Sequence, residues 1–370
     1  MKDEKDGLAH QVSSPEYQIK NSVIHPSPLT ARPLKIALLG FGNVGRAFAR
    51  YANKQRGDKK IDLVIGAVAD SSGGLILDAP DQVDQLIASK ESRRSIRDVA
   101  PGSVIASTRE FIDGLGKSGI HAIVESLPTN LEDGQPALGL ITSALAQGIH
   151  VVTVDKGPLV HGLDAMRESA REGGSQFGYS GTAGVSIPDE LPGERVVEIR
   201  GVLNGTTNYV LTAMRREHVS FDEALARAQA DGIAEPDPKL DIEGWDTAAK
   251  ILILAKTLMK ADARLAEVSR IGIGPQTDSL IQVGRDSNRV VRLVGRARIW
   301  QGRVRVSVAP KLIGQDSPFF SVEGTSKLAV FRTEGKGEAL SRGLSGRDAI
   351  SQTILDDLLR LPIQAATYEE

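Results

Sequence analysis

There is no cysteine anywhere in the chain. That absence rules out disulfides, thiolate metal sites and covalent thiol chemistry. Charge is nearly balanced, with 45 Lys and Arg against 47 Asp and Glu for a formal net charge of -2. Such a balance gives no electrostatic argument for nucleic acid or an anionic membrane as partner. No apolar run approaches the roughly 18 residues that span a bilayer. The opening MKDEKDG is acidic and lacks an apolar core, unlike a secretory signal or a transit peptide, so the expected location is the cytoplasm. No internal repeat appears. What is present is ordinary for a globular protein: 370 residues, 41% hydrophobic and 25% charged, enough for two domains with cores of their own.

Residues 1–33 are polar, with scattered Ser, Pro and His and no periodicity, and read as a mobile arm. The run KIALL at 35–39 then leads into Gly40-Phe41-Gly42-Asn43-Val44-Gly45, and RAFARYANKQ follows at helical spacing. The order is strand, glycine turn, helix. A second apolar run, Ile61 to Val68, ends near Asp70 and completes a βαβ unit with an acid at the end of its second strand. A lone glycine fingerprint equally suits a tight turn, or another nucleotide such as S-adenosylmethionine. Strand, helix and Asp70 together favour a dinucleotide, whose pyrophosphate sits on backbone N–H groups at the helix N-terminus. Asp70 would accept from the adenosine ribose hydroxyls, which argues for NAD; Ser71 and Ser72 are placed to receive a 2′-phosphate, so NADP stays open.

Further units follow: a strand at 122–125, a helix at 137–147 and a strand at 151–154 that reaches Asp155-Lys156-Gly157-Pro158. Ligands of doubly wound sheets sit beyond the carboxyl ends of strands, and Lys156 stands at such an end, although a solvated loop lysine has the same signature. Pro128 and Thr129 are similarly placed after the strand ending at Glu125 and would line the nicotinamide side.

The central stretch is GVLNGTTNYVLTAMRREHVSFDEALARAQADGIAEPDPKLDIEGWDTAAKILILAKTLMK, residues 201–260. A strand turns through Asn204-Gly205-Thr206-Thr207-Asn208 into a helix beginning at Tyr209. An acidic, Pro-rich loop carries Glu235, Asp237, Asp241 and Glu243, and a helix starting near Asp246 carries Lys250 one turn later. Taken alone, Asp246 and Lys250 are an i,i+4 surface pair worth about 0.3–0.5 kcal/mol. Four carboxylates gathered beside a lysine, in a chain with a nucleotide loop, point instead to a substrate pocket. Beyond Asp262, VVRLVGRARIWQGRVRVSVAPKLI alternates basic and apolar residues, the pattern of antiparallel strands with a solvated basic face. Gly343-Leu344-Ser345-Gly346-Arg347-Asp348 is either a capping turn for the last helix or a return to the nucleotide site.

The runs GVLNGTTNYVLTAM and DGIAEPDPKLDIEGWDTAAK resemble the signature of the homoserine dehydrogenases. The glycine turn, TVDKGPL and GLSGRDAISQ occur in the same order, so the resemblance covers about residues 34–361. It implies an α/β chain: a Rossmann-type domain at 34–160, completed by 323–370, and an α+β substrate and dimerisation domain at 161–322. The absence of an ACT-like segment resembles the short, monofunctional form. The implied reaction is reversible oxidation of L-homoserine to L-aspartate 4-semialdehyde with NAD or NADP, serving threonine and methionine synthesis in a homodimer. Carried over by motif, Lys156, Lys250 and Asp246 are catalytic, and Glu235, Asp241, Gly205 and Thr206 bind substrate. Gly40, Gly42, Asn43, Val44, Gly45, Asp70, Pro128, Thr129 and Gly346 hold the cofactor.

Three positions depart from the family. Asp155 replaces the usual Asn before Lys156, and a carboxylate there would favour the protonated lysine. Ser180 replaces a glutamate of a loop that helps hold a monovalent cation, leaving the carbonyls of Ala183 and Val185 as donors for Na or K. The last nucleotide loop is reduced to GLSG. These departures sustain two alternatives: a related oxidoreductase acting on another hydroxy amino acid or amino alcohol, and a non-catalytic nucleotide-binding subunit. Phosphorylating aldehyde dehydrogenases, including aspartate-semialdehyde dehydrogenase, share the two-domain plan but need a thiolate, which this chain lacks.

Overall fold

The computed structural model describes residues 33–57, 62–100, 102–188, 191, 193–343 and 346–362. The polar arm at 1–32 and the loop residues Leu344 and Ser345 lie outside them. Six short apolar segments build the first sheet: β1 (Leu34–Leu39), β2 (Leu63–Asp70), β3 (Gly73–Ile76), β4 (Ala122–Glu125), β5 (His150–Thr153) and β6 (Phe177–Gly178). Their order is β3-β2-β1-β4-β5-β6. Neighbours run parallel except β3, which is antiparallel to β2. Alternate residues of β1 enter different cores, Ile36 and Leu38 on one face and Ala37 and Leu39 on the other. Both faces are therefore covered, which is why the strands read as unbroken apolar runs. The covering helices are α1 (Asn43–Gly57), α2 (Gln82–Glu91), α3 (Thr108–Leu115), α4 (Ala137–Ala146) and α5 (Lys156–Gly173).

The second sheet takes β7 (Val196–Val202), β8 (Ser269–Arg270), β9 (Val290–Trp300), β10 (Arg303–Ile313), β11 (Lys327–Thr333) and β12 (Glu338–Gly343) in the order β12-β11-β7-β9-β10-β8. Its helices are α6 (Gly205–Glu217), α7 (Phe221–Ala230), α8 (Lys239–Ile242), α9 (Trp245–Leu258) and α10 (Thr277–Asp286). The last helix, α11 (Arg347–Arg360), returns to the first sheet and packs along α1, burying Ile354, Leu355 and Leu358. α9 lies between α5 on one side and β7, β9 and β10 on the other. Every residue from Thr247 to Ala255 is buried, as expected of a helix apolar on all sides and enclosed by both halves.

Several expectations change. Residues 323–343 do not complete the first sheet. β11 pairs antiparallel with β7 over Leu328↔Val202 to Thr333↔Val196, and β12 pairs with β11. α11 alone makes the return. β6, placed beyond the boundary at 160, extends the first sheet instead. The polar run after β7 is not a turn: Asn204 caps α6 by accepting from the Thr207 N–H, so the helix begins at Gly205. The basic face of β9 is only partly solvated. Arg292 is fully buried and donates to the carbonyls of Val291, Phe319 and Phe320. Residues 319–322 cover that end of the strand, packing Phe319 and Val322 beside Val294 and Leu328.

Candidate active site

The glycine turn is shaped for close approach. Gly40 follows β1 at φ +102°, and a Cβ there would lie 2.6 Å from the Ser126 carbonyl oxygen, across the point where the strand order reverses. A Cβ on Gly45 would lie 2.1 Å from the Gly40 oxygen. Both glycines are needed by the fold itself. At Gly42 an added Cβ would meet nothing within 4 Å, and the residue is exposed. Internal packing does not ask for a glycine there; the approach of a phosphate to the N-terminus of α1 does. Arg46 fastens the turn, donating to the Phe41 carbonyl at 3.0 Å and to Asn43 Oδ1 at 3.1 Å. Val44 is half-buried against the core of the first sheet. A dinucleotide therefore fits this crevice.

Asp70 ends β2 as expected, but its carboxylate is engaged. Oδ1 accepts from Ser72 N–H at 2.8 Å and Ser72 Oγ at 2.6 Å, and Oδ2 pairs with Lys90 Nζ at 2.7 Å. Burial opposes its charge, yet these bonds and the Lys90 ammonium hold its pKa below the usual value. Pro128 is exposed and Thr129 half-buried on the segment leaving β4. Gly346 is exposed just before α11, with φ +106°.

The second cluster forms where β7, α5, α6 and α9 meet. Asp246, in the first turn of α9, is its centre. Lys250 Nζ donates to Asp246 Oδ2 at 2.6 Å and to the Leu203 carbonyl at 3.0 Å. Lys156, the first residue of α5, brings its Nζ within 3.7 Å of Asp246 Oδ1. Asn204 Nδ2 donates to Asp241 Oδ1 at 2.6 Å and to Asp246 Oδ2 at 2.9 Å. The i,i+4 pair is thus one side of a largely buried network linking both halves. Burial penalises the Asp246 charge, but Lys250 and Lys156, with the bonds from Lys250 and Asn204, hold its pKa well below the carboxylate range. Asp241 shifts the opposite way, raised first by burial and then by the Asp246 charge. Asp246 is the fixed anion and Asp241 the one that resists charging.

Gly205 and Thr206 open α6 directly after Asn204, and Thr206 Oγ1 donates to the Ile233 carbonyl at 3.2 Å. Glu235 is not drawn into the cluster: its residue is exposed, and the bond recorded there is from Gln229 Nε2 to its carbonyl. Asp155 caps α5 by accepting from Gly157 N–H at 2.9 Å. It lies near Glu125, which is fully buried and accepts from Thr153 Oγ1 at 2.5 Å and Leu127 N–H at 2.7 Å. Burial, then the Asp155 charge, pushes the Glu125 carboxyl up to about 8.

Ser180 donates through N–H at 2.8 Å and Oγ at 2.7 Å to Asp357 on α11, so a carboxylate does stand at this loop, supplied from elsewhere in the chain. Ala183 and Val185 are buried beside a cavity of about 240 Å³ bounded by Tyr179, Ile253, Thr257 and Asp356. Among the described residues no group of three or more His, Cys, Asp or Glu stands together as a metal site. No described helix is long and apolar enough to cross a membrane.

Two participants were passed over in the sequence. Asn204 was read as part of a turn; its capping position, three residues before Thr207, was the available signal. Lys327 opens β11 and lies within the electrostatic field of Lys250, Asp246, Lys156 and Asp241. Only strand register reveals it.

Comparison with known proteins identifies the family. The family model described as homoserine dehydrogenase matches residues 186–359. A homoserine dehydrogenase of Methanocaldococcus jannaschii is 33% identical over 338 residues, covering 89% of this chain and 98% of the relative. The NAD(+)-dependent homoserine dehydrogenase of Pseudomonas canavaninivorans is 32% identical over 357 residues, covering 91% and 98%. Among solved structures, a hyperthermophilic archaeal homoserine dehydrogenase in complex with NADPH superposes with a TM-score of 0.70 at 27% identity, covering 88% of this chain and 96% of that one. The S. aureus enzyme gives 0.69 at 26% identity, covering 89% and 75%. The chain is a member of the homoserine dehydrogenase family, oxidoreductases that act on a carbinol.

Proposed function

We propose that the protein interconverts L-homoserine and L-aspartate 4-semialdehyde at the Asp246–Lys250–Lys156 cluster, with NAD or NADP held at residues 40–45, Asp70, Pro128, Thr129 and Gly346. The nicotinamide, when bound, supplies the hydride acceptor or donor. Everything else falls to the chain. Two ammonium groups converge on one carboxylate, so a hydroxyl entering beside them meets cationic donors already oriented by Asp246. Lys250 is further fixed by the Leu203 carbonyl. In the reductive direction either ammonium is positioned to give a proton to the oxygen as hydride reaches the carbon; in the oxidative direction the lysine takes the hydroxyl proton only after releasing its own, a relay worth about 10²–10⁴ in rate. Asp241 receives the substrate ammonium, with Gly205 and Thr206 beside it; Glu235, exposed outside the cluster, is left out of that contact. The Lys90 pair at Asp70 supports a site open to either cofactor, since it places a cation beside the ribose position. We assign residues 33–178 with 347–362 to the nucleotide domain and 193–343 to the catalytic domain, and place the protein as a homodimer in cytoplasmic threonine and methionine synthesis.

The carrying observation is Asp246 joined to lysines of both halves. A panel of hydroxy amino acids and amino alcohols tests it, with each cofactor in turn. The highest kcat/KM is expected with L-homoserine; a clear preference for another alcohol would displace the proposal.

A further inference from the structure

We propose that Glu125 and Thr153 are positioning residues for Lys156: they fix the point from which α5 starts, and so the direction in which the Lys156 ammonium reaches Asp246. This rests on the reading of Lys156 as part of the reacting cluster. Both residues are 0% exposed. Neither has surface for a ligand, so any part they play in the reaction is played through a neighbour. They are the last residues of β4 and β5 and stand opposite each other in the parallel register. Thr153 Oγ1 donates to Glu125 Oε2 at 2.5 Å, and Glu125 Oε1 accepts from the Leu127 N–H at 2.7 Å. A buried carboxyl held at each oxygen is fixed, and it fixes the hydroxyl in turn.

The same hydroxyl reaches the start of α5. The Asp155 N–H donates to Thr153 Oγ1 at 3.0 Å, while Asp155 Oδ1 accepts from the Gly157 N–H at 2.9 Å and caps the helix. Lys156 lies between these two bonds. One ties Asp155 to β5, and the other closes the first turn over Lys156. The Lys156 Nζ ends 3.7 Å from Asp246 Oδ1, against 2.6 Å for Lys250 on Oδ2. At 3.7 Å there is no hydrogen bond to aim it, so its direction is set where α5 leaves β5. On the far side the turn rests on backbone, since a Cβ on Gly157 would lie 2.3 Å from the Asn130 oxygen. Of these two outer supports, only Thr153 with Glu125 is made of side chains. Burial, then the Asp155 charge, pushes the Glu125 carboxyl up to about 8. At neutral pH it is therefore uncharged and acts through its bonds, which a glutamine can reproduce.

The test measures steady-state rates with L-homoserine in the full chain carrying Thr153→Val, Thr153→Ser or Glu125→Gln, with Thr153→Val also combined with Lys156→Ala. Thr153→Val removes both bonds of the hydroxyl and is expected to lower kcat about tenfold or more, because misplacing a reacting group is felt in the chemical step. The KM for homoserine and the affinity for reduced cofactor, read by fluorescence titration, should stay within about threefold. Thr153→Ser keeps the hydroxyl and Glu125→Gln keeps a bond to each partner, so both should stay within about threefold of the native kcat. A role in folding alone would lower activity whether or not Lys156 is present. A positioning role makes the effect vanish with the lysine: in the Lys156→Ala background, Thr153→Val should change the remaining kcat by no more than about twofold. Losses that multiply, a native kcat in Thr153→Val, or a loss in Thr153→Ser or Glu125→Gln equal to that in Thr153→Val overturns the inference. Titration with reduced cofactor verifies folding, and Glu125→Met is read in the same way where Thr153→Val does not fold. Undiminished turnover in Lys156→Ala defeats the broader reading of Lys156; a loss there that Thr153→Val does not share defeats this inference alone.

Discussion

At the scale of single residues, the site separates like charges by environment. Asp246 and Asp241 share Asn204, yet one is surrounded by ammonium groups and the other mainly desolvated, so their pKa values move apart. Divergent acids of this kind mark functional sites. Glu125 shows the same logic away from the reacting end. Its folded pKa of about 8 lies above the 4.5 of the free side chain. A carboxyl raised in this way keeps a proton that the unfolded chain releases. Its contribution to stability is complete below the unfolded value and is lost as pH rises through about 8. Glu125→Gln keeps an oxygen for the Leu127 N–H, turns its NH2 toward the Thr153 hydroxyl, which can accept, and has no proton to lose. Thermal melts should show the variant more stable than the native protein near pH 9, the gap closing toward pH 5. A constant offset across that range would mean Glu125 does not titrate as the burial implies.

At the scale of elements, two helix starts and one glycine turn place the chemistry. α5 begins at Lys156 because Asp155 caps it, and α6 begins at Gly205 because Asn204 caps it. Each cap aims a short polar segment at Asp246. The glycine turn divides into structural and ligand-facing positions. Gly40→Ala must displace the Ser126 backbone at a positive φ and should cost several kcal/mol, with loss of soluble protein or of cooperative melting. Gly42→Ala, which meets no protein atom, should melt like the native protein yet bind reduced cofactor about tenfold or more weakly in a fluorescence titration. Equal effects on both would refute that division. The βαβ unit, the strand leading to Lys156 and the helix carrying Lys250 were all legible in the sequence, because local periodicity and glycine spacing encode them. The cap at Asn204 was half legible, since Asn serves turns and caps alike. β11 was assigned to the first domain with the rest of 323–370. Its apolar stretch Leu328–Phe331 suits either sheet, and only pairing with β7 decides. Arg292 defeated its pattern for the same reason, because the segment that buries it is remote in sequence.

At the scale of the whole molecule, α9 is the joint. It is enclosed by α5 from the nucleotide half and by three strands of the other sheet. Its first turn supplies the carboxylate on which a lysine from each half converges. Any change that separates the halves therefore also separates Lys156 from Asp246. The departures at Asp155 and Ser180 are absorbed in ways no linear reading exposes. Asp155 becomes a buried helix cap, and Ser180 recruits the Asp357 carboxylate from α11. The central measurement is the initial rate of nicotinamide reduction with L-homoserine, taken for the native chain and Lys250→Ala side by side with both NAD and NADP. A robust native rate, falling about 10²-fold or more in the variant while reduced cofactor still binds, is the expected result. Cofactor binding without turnover in the native chain, or near-native turnover in Lys250→Ala, would contradict the assignment of homoserine oxidation to this cluster.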